Sequence, residues 1–398
     1  MTLKGRSGSH WFVLLIIVLF SVAAPLAQFK VPPVMPILMH AFSLSAGRAG
    51  LLMSIFALTG LFLALPGGFI FQRLGFRATG MIAILAVIVG AALGALSTSI
   101  GMLLTSRFIE GIGLSLTTIV APAVIAMRFT PETRGKAMGI WCASVPLGWL
   151  LAFSSAPWLS GRWDWPGVWW FCFFYAFLGA LLYYLFVRPI PEAAAVETGQ
   201  TEHEKPSVRD LAQALRNRDL WLISFLFCCF NIIFIAFMTW FPTYSHAVRG
   251  LSLSQADLLM SVMTVLLLVS GPFGGWLSDR LGSRKIICVV PMLLLMLLFP
   301  LASVVTDGSR LAIIVIVGLI GAFVPTGVFS VGPEVVGDER LHGMAMAMIL
   351  LGQNAGMLLG PLVFGWIVDI TGGWQVAFWS LLPVGAAGAL AGWKVRYR

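Results

Sequence analysis

The sequence predicts an all-α membrane protein with twelve transmembrane helices, arranged as two six-helix bundles that are related by a pseudo-two-fold axis along the membrane normal. Hydrophobic residues make up 59% of the 398 residues and charged residues only 10%, whereas soluble domains average about 25% charged residues. Apolar segments of about 20 residues, the length that crosses a bilayer, recur along the chain. A loop sequence that occurs once in each half indicates two internal repeats of the same orientation.

The apolar segments define the predicted spans and domains. In the first half the spans fall at 15–40, 48–71, 78–97, 102–127, 136–158 and 167–187. In the second half they fall at 220–244, 255–278, 286–305, 310–335, 343–368 and 375–393. We therefore predict an N-terminal bundle at 1–187, a cytoplasmic linker at 188–219 and a C-terminal bundle at 220–398. Small residues four positions apart predict close helix contacts within these bundles, at Gly90/Gly94, Gly271/Gly275 and Gly356/Gly360.

The distribution of basic residues predicts the orientation. With the N-terminus inside, most of the 25 Lys and Arg residues fall in inside loops, and only Arg48, Arg162, Arg249 and Arg310 fall outside. This asymmetry predicts an integral protein of the cytoplasmic (inner) membrane with both termini in the cytoplasm. It also accounts for the net charge of +9 without a nucleic-acid partner. A cluster of Trp residues at 163, 165, 169 and 170 is typical of an outer interface belt.

The repeated loop is the most specific motif. Residues 274–284 read GGWLSDRLGSR, and residues 67–77 read GGFIFQRLGFR. This pattern resembles the cytoplasmic loop between helices two and three, and eight and nine, of the major facilitator superfamily. The resemblance implies a gating role for one set of residues: Gly68, Arg73, Arg77, Gly275, Asp279, Arg280 and Arg284. Gln72 stands where the family usually has Asp, so the resemblance leaves that Asp's ion pair in doubt in the first half.

Other classes of function lack their signatures. The five Cys and five His residues show no spacing typical of a metal site, a disulfide framework or a catalytic set. The sequence contains no Gly-x-x-x-x-Gly-Lys-Ser/Thr loop for a nucleotide. We therefore predict no enzymatic activity, no metal and no cofactor, and a protein that functions in the lipid bilayer as a monomer.

Lys30 is the first candidate for a substrate-binding residue. It lies about ten residues from the outer end of the first span, or about 15 Å deep at 1.5 Å per residue. Pro32 and Pro33 follow it, and prolines interrupt the hydrogen bonds of a helix. An ammonium beside freed carbonyls at mid-membrane suits a polar ligand. The alternative is a Lys that snorkels to the surface or binds a local carbonyl.

Arg107 and Glu110 form the second candidate. The segment 106–113 resembles the fourth-helix motif Arg-x-x-x-Gly-x-Gly of the same superfamily, whose first and fourth helices line the central cavity. The two side chains share a helix face because they are three residues apart. Either Arg107 binds an anionic substrate and Glu110 carries a coupling proton, or the two residues neutralise each other.

The second half offers only uncharged candidates inside its spans. We take four residues as candidate substrate contacts: Asn231, Tyr244, Gln353 and Asn354. Each of them also fits a structural role, because amides within lipid often bridge helices. Asp257, Glu334 and Asp369 fall near helix ends, where contact with water explains a charge without a functional site.

The charges predicted for the cavity are two cations and one acid, which favours an anionic substrate. We therefore predict a secondary transporter of a small inorganic anion or carboxylate that works by alternating access, with a proton as a candidate coupling ion. The segments 29–33 and 65–68 resemble the nitrate/cyanate branch of the superfamily. That branch's nitrate carriers have arginines midway along helices two and eight, and none occurs here, which counts against nitrate itself.

Proton-driven export of drugs or other amphipathic compounds is the alternative transport function. The Met- and aromatic-rich spans are compatible with it. The exporters of the superfamily carry a Gly-x-x-x-Gly-Pro-like motif on the fifth helix, whereas residues 144–148 here read SVPLG. This imperfect match makes anion transport the leading hypothesis.

Overall fold

The computed structural model describes residues 7–63, 66–187, 215–338 and 341–397, and the regular structure in these ranges is helical. Most of the predicted linker lies outside the described residues, including 207–214 of the segment 207–215, whose sequence fits either an interfacial helix or a solvated linker. The described chain divides into two compact units. The first unit comprises Met1–Lys30 and Phe62–Thr201, and the second comprises Val31–Leu61 and Glu202–Arg398. The domain boundaries at 187 and 219 stay a prediction.

The helices of the first unit pack against one another. They are α1 (Ser7–Phe29), α4 (Pro66–Ala95), α5 (Ile100–Arg128), α6 (Pro131–Cys142) and α7 (Ser144–Phe186). Helix α4 packs against α5 and α7, and α1 packs against α7 and α5. The candidate residues on α5 therefore face the end of α1.

The second unit holds the remaining helices. It begins with a 3-10 turn (Pro32–Val34), α2 (Met35–Ala41) and most of α3 (Ala46–Leu63). It continues with α8 (Arg218–Ala247), α9 (Leu253–Leu281), α10 (Arg284–Ala302), α11 (Asp307–Ile320), α12 (Phe323–Val336), α13 (His342–Thr371), α14 (Trp374–Trp379) and α15 (Leu381–Lys394). Helix α8 packs against α13 and α15, and α9 packs against α11.

Two long helices contain breaks that separate membrane spans. In α4 the break is at Gly75, whose φ of 73° lies in the left-handed region that glycine adopts without steric cost. In α7 it is at Trp163 and Asp164, and Asp164 has a φ of 56°. Asp tolerates this conformation because its side chain can bond the local backbone, and here Asp164 Oδ1 accepts from Trp165 N at 2.7 Å.

Eleven continuous helical stretches of the described residues are long and apolar enough to cross a membrane. One of them, Glu132–Phe186, has 55 residues, about twice the length that a bilayer needs. The break at Asp164 divides this stretch into the predicted fifth and sixth spans. The predicted all-α fold of an integral membrane protein is confirmed, and its helices agree with twelve spans.

Glycines mark the closest helix contacts. A Cβ atom built on Gly356 would lie 2.3 Å from the carbonyl oxygen of Cys228, and one on Gly360 would lie 2.6 Å from that of Ile232. This pair was predicted to allow close packing, and it lets α13 lie directly against α8. The predicted Gly271/Gly275 pair makes only ordinary contact, since its nearest neighbours, Ala322 and Thr326, are 3.7–4.0 Å away.

Gly356→Ala is expected to destabilise the second unit, because its added methyl group meets backbone rather than a movable side chain. Overpacking of this kind costs about 1–3 kcal/mol, which a thermal unfolding curve of the purified protein would show as a lower midpoint. Gly101→Ala is the matched control, since a Cβ there meets nothing within 4 Å. Equal midpoints for the two variants would contradict the close contact.

Candidate functional site

Three charged side chains of the first unit meet in its interior. Lys30 Nζ donates a hydrogen bond to Glu110 Oε1. Arg107 Nη1 lies 2.7 Å from Glu110 Oε2. All three side chains are 0% exposed. Glu110 thus pairs with Arg107 on its own helix, as in the second predicted alternative, and also with Lys30 just after α1, while the substrate and proton roles stay predictions. We call these three residues the charged triad.

The backbone around Lys30 explains how Arg107 is held. In a continuous helix the carbonyl of Gln28 would accept from the N–H of residue 32, but Pro32 has none. Helix α1 accordingly ends at Phe29. Arg107 donates instead to the carbonyl of Gln28, over 2.9 Å, and to that of Ala27. Pro32 thus frees one of the two carbonyls that hold the buried guanidinium.

The walls of the charged triad come from α4 and α7. A Cβ on Gly90 would lie 2.5 Å from Glu110 Cγ, and one on Gly94 would lie 2.2 Å from the ring of Trp169. Lys30 Nζ lies 4.6 Å from the centre of the Trp169 ring, within the range of a cation–π contact. Gly90 and Gly94 were predicted as a helix contact, and they also make room for the acid and the indole.

Trp169 corrects the predicted interface belt. Its side chain is fully buried, and so is most of Trp165, whereas Trp163 is 55% exposed. The indole Nε1 of Trp169 has no hydrogen-bond partner among the described residues. The sequence shows Trp-rich composition at this helix end but does not tell which indole faces Lys30.

The charge of the triad is unbalanced. Two cations and one carboxylate leave one positive charge in a buried, low-dielectric environment, where unpaired charge is costly. A net positive charge of this kind attracts an anion rather than a cation.

The predicted amides of the second unit bond mainly within their own helices. Asn231 Nδ2 donates to Phe227 O at 2.8 Å, and Asn354 Nδ2 donates to Leu350 O at 2.9 Å. Asn354 also lies against Gly60, where an added Cβ would be 2.3 Å from its Oδ1. Gln353 differs, because its buried Oε1 has no hydrogen-bond partner among the described residues.

Tyr244 is part of a different network. Its buried hydroxyl donates to the carbonyl of Ser303. Arg249 donates to the same hydroxyl over 2.9 Å and to the Ser303 carbonyl over 2.6 Å. These bonds tie the end of α8 to the end of α10, so in this conformation the side chain of Tyr244 has a structural partner.

The second copy of the loop motif forms a compact ionic cluster. Arg284 Nη1 lies 2.8 Å from Asp279 Oδ1 and 2.8 Å from Ser278 Oγ, and Arg284 Nε lies 3.5 Å from Glu334. Arg280 stacks over Trp276, with its guanidinium carbon 5.2 Å from the ring centre. Gly275 lies beside Thr326 of α12.

The first copy of the motif has no equivalent acid. Arg77 donates to the carbonyl of Tyr184 over 3.0 Å and lies 4.9 Å from its ring, while Arg73 and Gln72 are exposed. A Cβ on Gly68 would meet nothing within 4 Å. Gln72 stands at the position of the family's Asp, and Arg77 bonds a neutral group, the carbonyl of Tyr184, instead of a carboxylate.

Two acids that the sequence assigned to helix ends have defined environments. Asp369 accepts from the backbone N–H groups of Ala46 and Gly47, over 2.9 and 2.8 Å, and so caps the start of α3. Asp257 is 1% exposed, so the expectation that water solvates it is wrong. No group of three or more His, Cys, Asp or Glu residues within the described ranges could hold a metal ion.

Known proteins resemble the chain over most of its length. The family model described as Major Facilitator Superfamily matches residues 11–342. The hexuronate transporter of Bacillus subtilis is 24% identical, over 86% of this chain and 84% of that protein. The probable sulfoacetate transporter SauU of Cupriavidus necator is 23% identical, over 98% and 95%. An inward-facing bacterial homologue of the human lysosomal transporter Spinster superposes with a TM-score of 0.82 at 18% identity, covering 98% of each chain.

Arg107→Gln is expected to destabilise the first unit. It removes the donor to two α1 carbonyls and one of the two partners of Glu110, and breaking a buried ion pair costs about 3–5 kcal/mol. Thermal unfolding in detergent measures the effect. Arg48→Gln is the control, because Arg48 is exposed and surface charges contribute about 0–1 kcal/mol. A midpoint for Arg107→Gln as high as that of the control would show that the triad does not hold α1 to α5.

Proposed function

The chain belongs to the Major Facilitator Superfamily, and on that premise we propose that it is a secondary transporter of a small anion, either an inorganic anion or a small carboxylate. It works by alternating access in the cytoplasmic (inner) membrane, with both termini in the cytoplasm. The charged triad carries this proposal, because its two cations exceed its one carboxylate in a fully buried site. The names of the relatives support it, since hexuronate and sulfoacetate are both anions.

Lys30 and Arg107 are the proposed binding groups for the anion. Arg107 is held in place by the α1 carbonyls, and its planar guanidinium suits a carboxylate or sulfonate that takes the place of Glu110. Lys30 is compact and lies against Trp169. Among the second-unit candidates, Gln353 has a buried oxygen to offer to a substrate hydroxyl. Asn231, Asn354 and Tyr244 would need to exchange their present bonds first.

Glu110 is the proposed coupling residue. The substrate and the Glu110 carboxylate compete for the same two cations, so protonation of Glu110 favours anion binding, and by linkage anion binding favours protonation. One proton then accompanies each anion. The clusters around Arg77 and Arg284 are the proposed gates, and a monomer is sufficient for this cycle.

The substrate class is tested by the thermal stability of the purified protein. A ligand that binds the native state raises its unfolding midpoint. We expect a rise with glucuronate, glucarate, sulfoacetate or cyanate, and none with glucose, the uncharged counterpart of glucuronate. If no anion raises the midpoint but amphipathic cations such as ethidium do, export of drugs is the better function.

The site is tested by removing its charges one at a time. Lys30→Gln should weaken binding of the stabilising anion about tenfold or more, the loss expected when a charged hydrogen bond is removed. Glu110→Gln should bind the anion at least as tightly as the wild type, because the internal competitor is gone. In proteoliposomes, Glu110→Gln should also lose the acceleration that an inward proton gradient gives to anion uptake. Normal uptake by Lys30→Gln would contradict the anion site.

A further inference from the structure

Asp257 differs from the other acids of the membrane-spanning helices. It lies in the second turn of α9, which begins at Leu253, and its side chain is 1% exposed. Neither carboxyl oxygen has a hydrogen-bond partner among the described residues. Its backbone carbonyl accepts from Ser261 Oγ over 2.9 Å, but that bond leaves the carboxyl group without a donor.

Glu110 and Asp369 show how the same chain compensates a carboxylate elsewhere. Glu110 has two cationic partners. Asp369 has two backbone N–H donors at the start of a helix, where the helix dipole also favours negative charge. Both carboxyl groups therefore have partners that compensate a negative charge. Asp257 has neither kind of compensation in this conformation.

The charged groups around Asp257 are engaged elsewhere. Helix α9 packs against α8, α10, α11, α12 and the 3-10 turn. At the same end of the unit, the Nδ1 atom of His246 lies 2.8 Å from Leu251 O, and Arg249 donates to Tyr244 and Ser303. Arg310 on α11, predicted to lie in an outside loop, is buried and donates to the carbonyls of Ala302 and Val305. His246 and Arg249 are not among the ion pairs of the described residues.

The other titratable groups on these helices lie far from Asp257 along the chain direction. Arg218 and Asp219 begin α8, Arg284 and Lys285 begin α10, Glu334 ends α12, and Asp279 and Arg280 end α9 itself. These seven charged residues belong to the opposite helix ends, about 20 residues or 30 Å away at 1.5 Å per residue.

Unpartnered polar atoms also occur on the neighbouring helix. Thr243 and Ser245 in the last turns of α8 are buried, and their hydroxyl oxygens have no partner among the described residues. The short loop 248–252 joins α8 to α9, with Leu251 N bonded to Ser245 O at 3.1 Å. Antiparallel helices joined by a short loop place residues near the loop at similar depth, so Asp257 and these hydroxyls share one level of the second unit.

We propose that Asp257 is a proton-binding site of the second unit, separate from the charged triad. An unpaired carboxylate in an apolar interior is strongly unfavourable, whereas the neutral acid needs no counter-ion. Asp257 therefore holds a proton in this conformation. When water reaches the side chain, the O–H bond breaks, the proton passes to a water molecule as hydronium, and the carboxylate remains.

This site adds a second coupled proton to the transport cycle. Its coupling role rests on the proposed function, because alternating access supplies the change in exposure that loads and unloads the proton. Proton binding by Asp257 does not depend on that function. Different events then control the protonation of the two acids. An anion displaces Glu110 from its partners, whereas solvent access alone governs Asp257.

Infrared spectroscopy of the purified protein tests proton binding directly, since a protonated carboxyl group absorbs apart from a carboxylate and shifts in heavy water. At neutral pH we expect an acid band in the wild type that is lost in Asp257→Asn and kept in Asp369→Asn. Asp257→Glu should restore the band at a shifted frequency, which separates loss of the acid from misfolding. A wild type without the band, or a band unchanged in Asp257→Asn, would overturn the proposal.

Sodium chloride and choline chloride distinguish a proton site from a sodium site. The acid band should be equal in both salts, and its selective loss in sodium would show that Asp257 binds sodium ions instead.

The coupling role is tested by counting protons per anion in proteoliposomes, with the anion that gives the largest thermal shift. Asp257→Asn should lower the ratio by one proton while the anion still raises the unfolding midpoint as in the wild type. An unchanged ratio would overturn the coupling role. If no anion shifts the wild type, the proposed function fails, and the infrared result still decides whether Asp257 binds a proton.

Discussion

The candidate site of the first unit depends on the hydrogen bonds that Arg107 donates to the end of α1. Pro32 removes the N–H group that would bond the Gln28 carbonyl in a continuous helix, and the guanidinium of Arg107 binds that carbonyl and the one of Ala27. The same guanidinium positions Glu110, which in turn binds Lys30. One guanidinium therefore serves both the backbone of α1 and the carboxylate, although the triad as a whole keeps one net positive charge. Such mutual dependence makes a buried polar network well ordered when every member has a partner.

Much of this was predictable because local rules govern it. The prolines beside Lys30 predicted the break in α1, and the spacing of Arg107 and Glu110 predicted a shared helix face. Small residues at 356 and 360 predicted the close approach of two helices. The positions of the spans followed from hydrophobicity and length. In each case the cause lies within a few residues of its effect, so one sequence carries enough information.

The parts that failed depend on contacts between distant segments. Whether Asp257 near a helix end faces water or the interior depends on how α9 is rotated against its neighbours, and no residue near it in the sequence signals this. The same holds for Trp169, whose indole meets Lys30 from a helix far along the chain. Asn231 and Asn354 show a different limit of prediction from sequence. An amide side chain can hydrogen-bond equally well to its own helix or to a neighbouring one. Only the three-dimensional arrangement decides among these choices.

The uncompensated charge of the triad has an electrical consequence. Moving one elementary charge across the membrane changes its free energy by about 2.3 kcal/mol for each ~100 mV of membrane potential. An empty first unit with Glu110 ionised carries one net positive charge in the triad. A monovalent anion cancels it if Glu110 stays ionised and leaves it unchanged if Glu110 takes up a proton. The voltage dependence of the loaded state therefore reports whether the acid beside the two cations is charged or neutral when the substrate is bound.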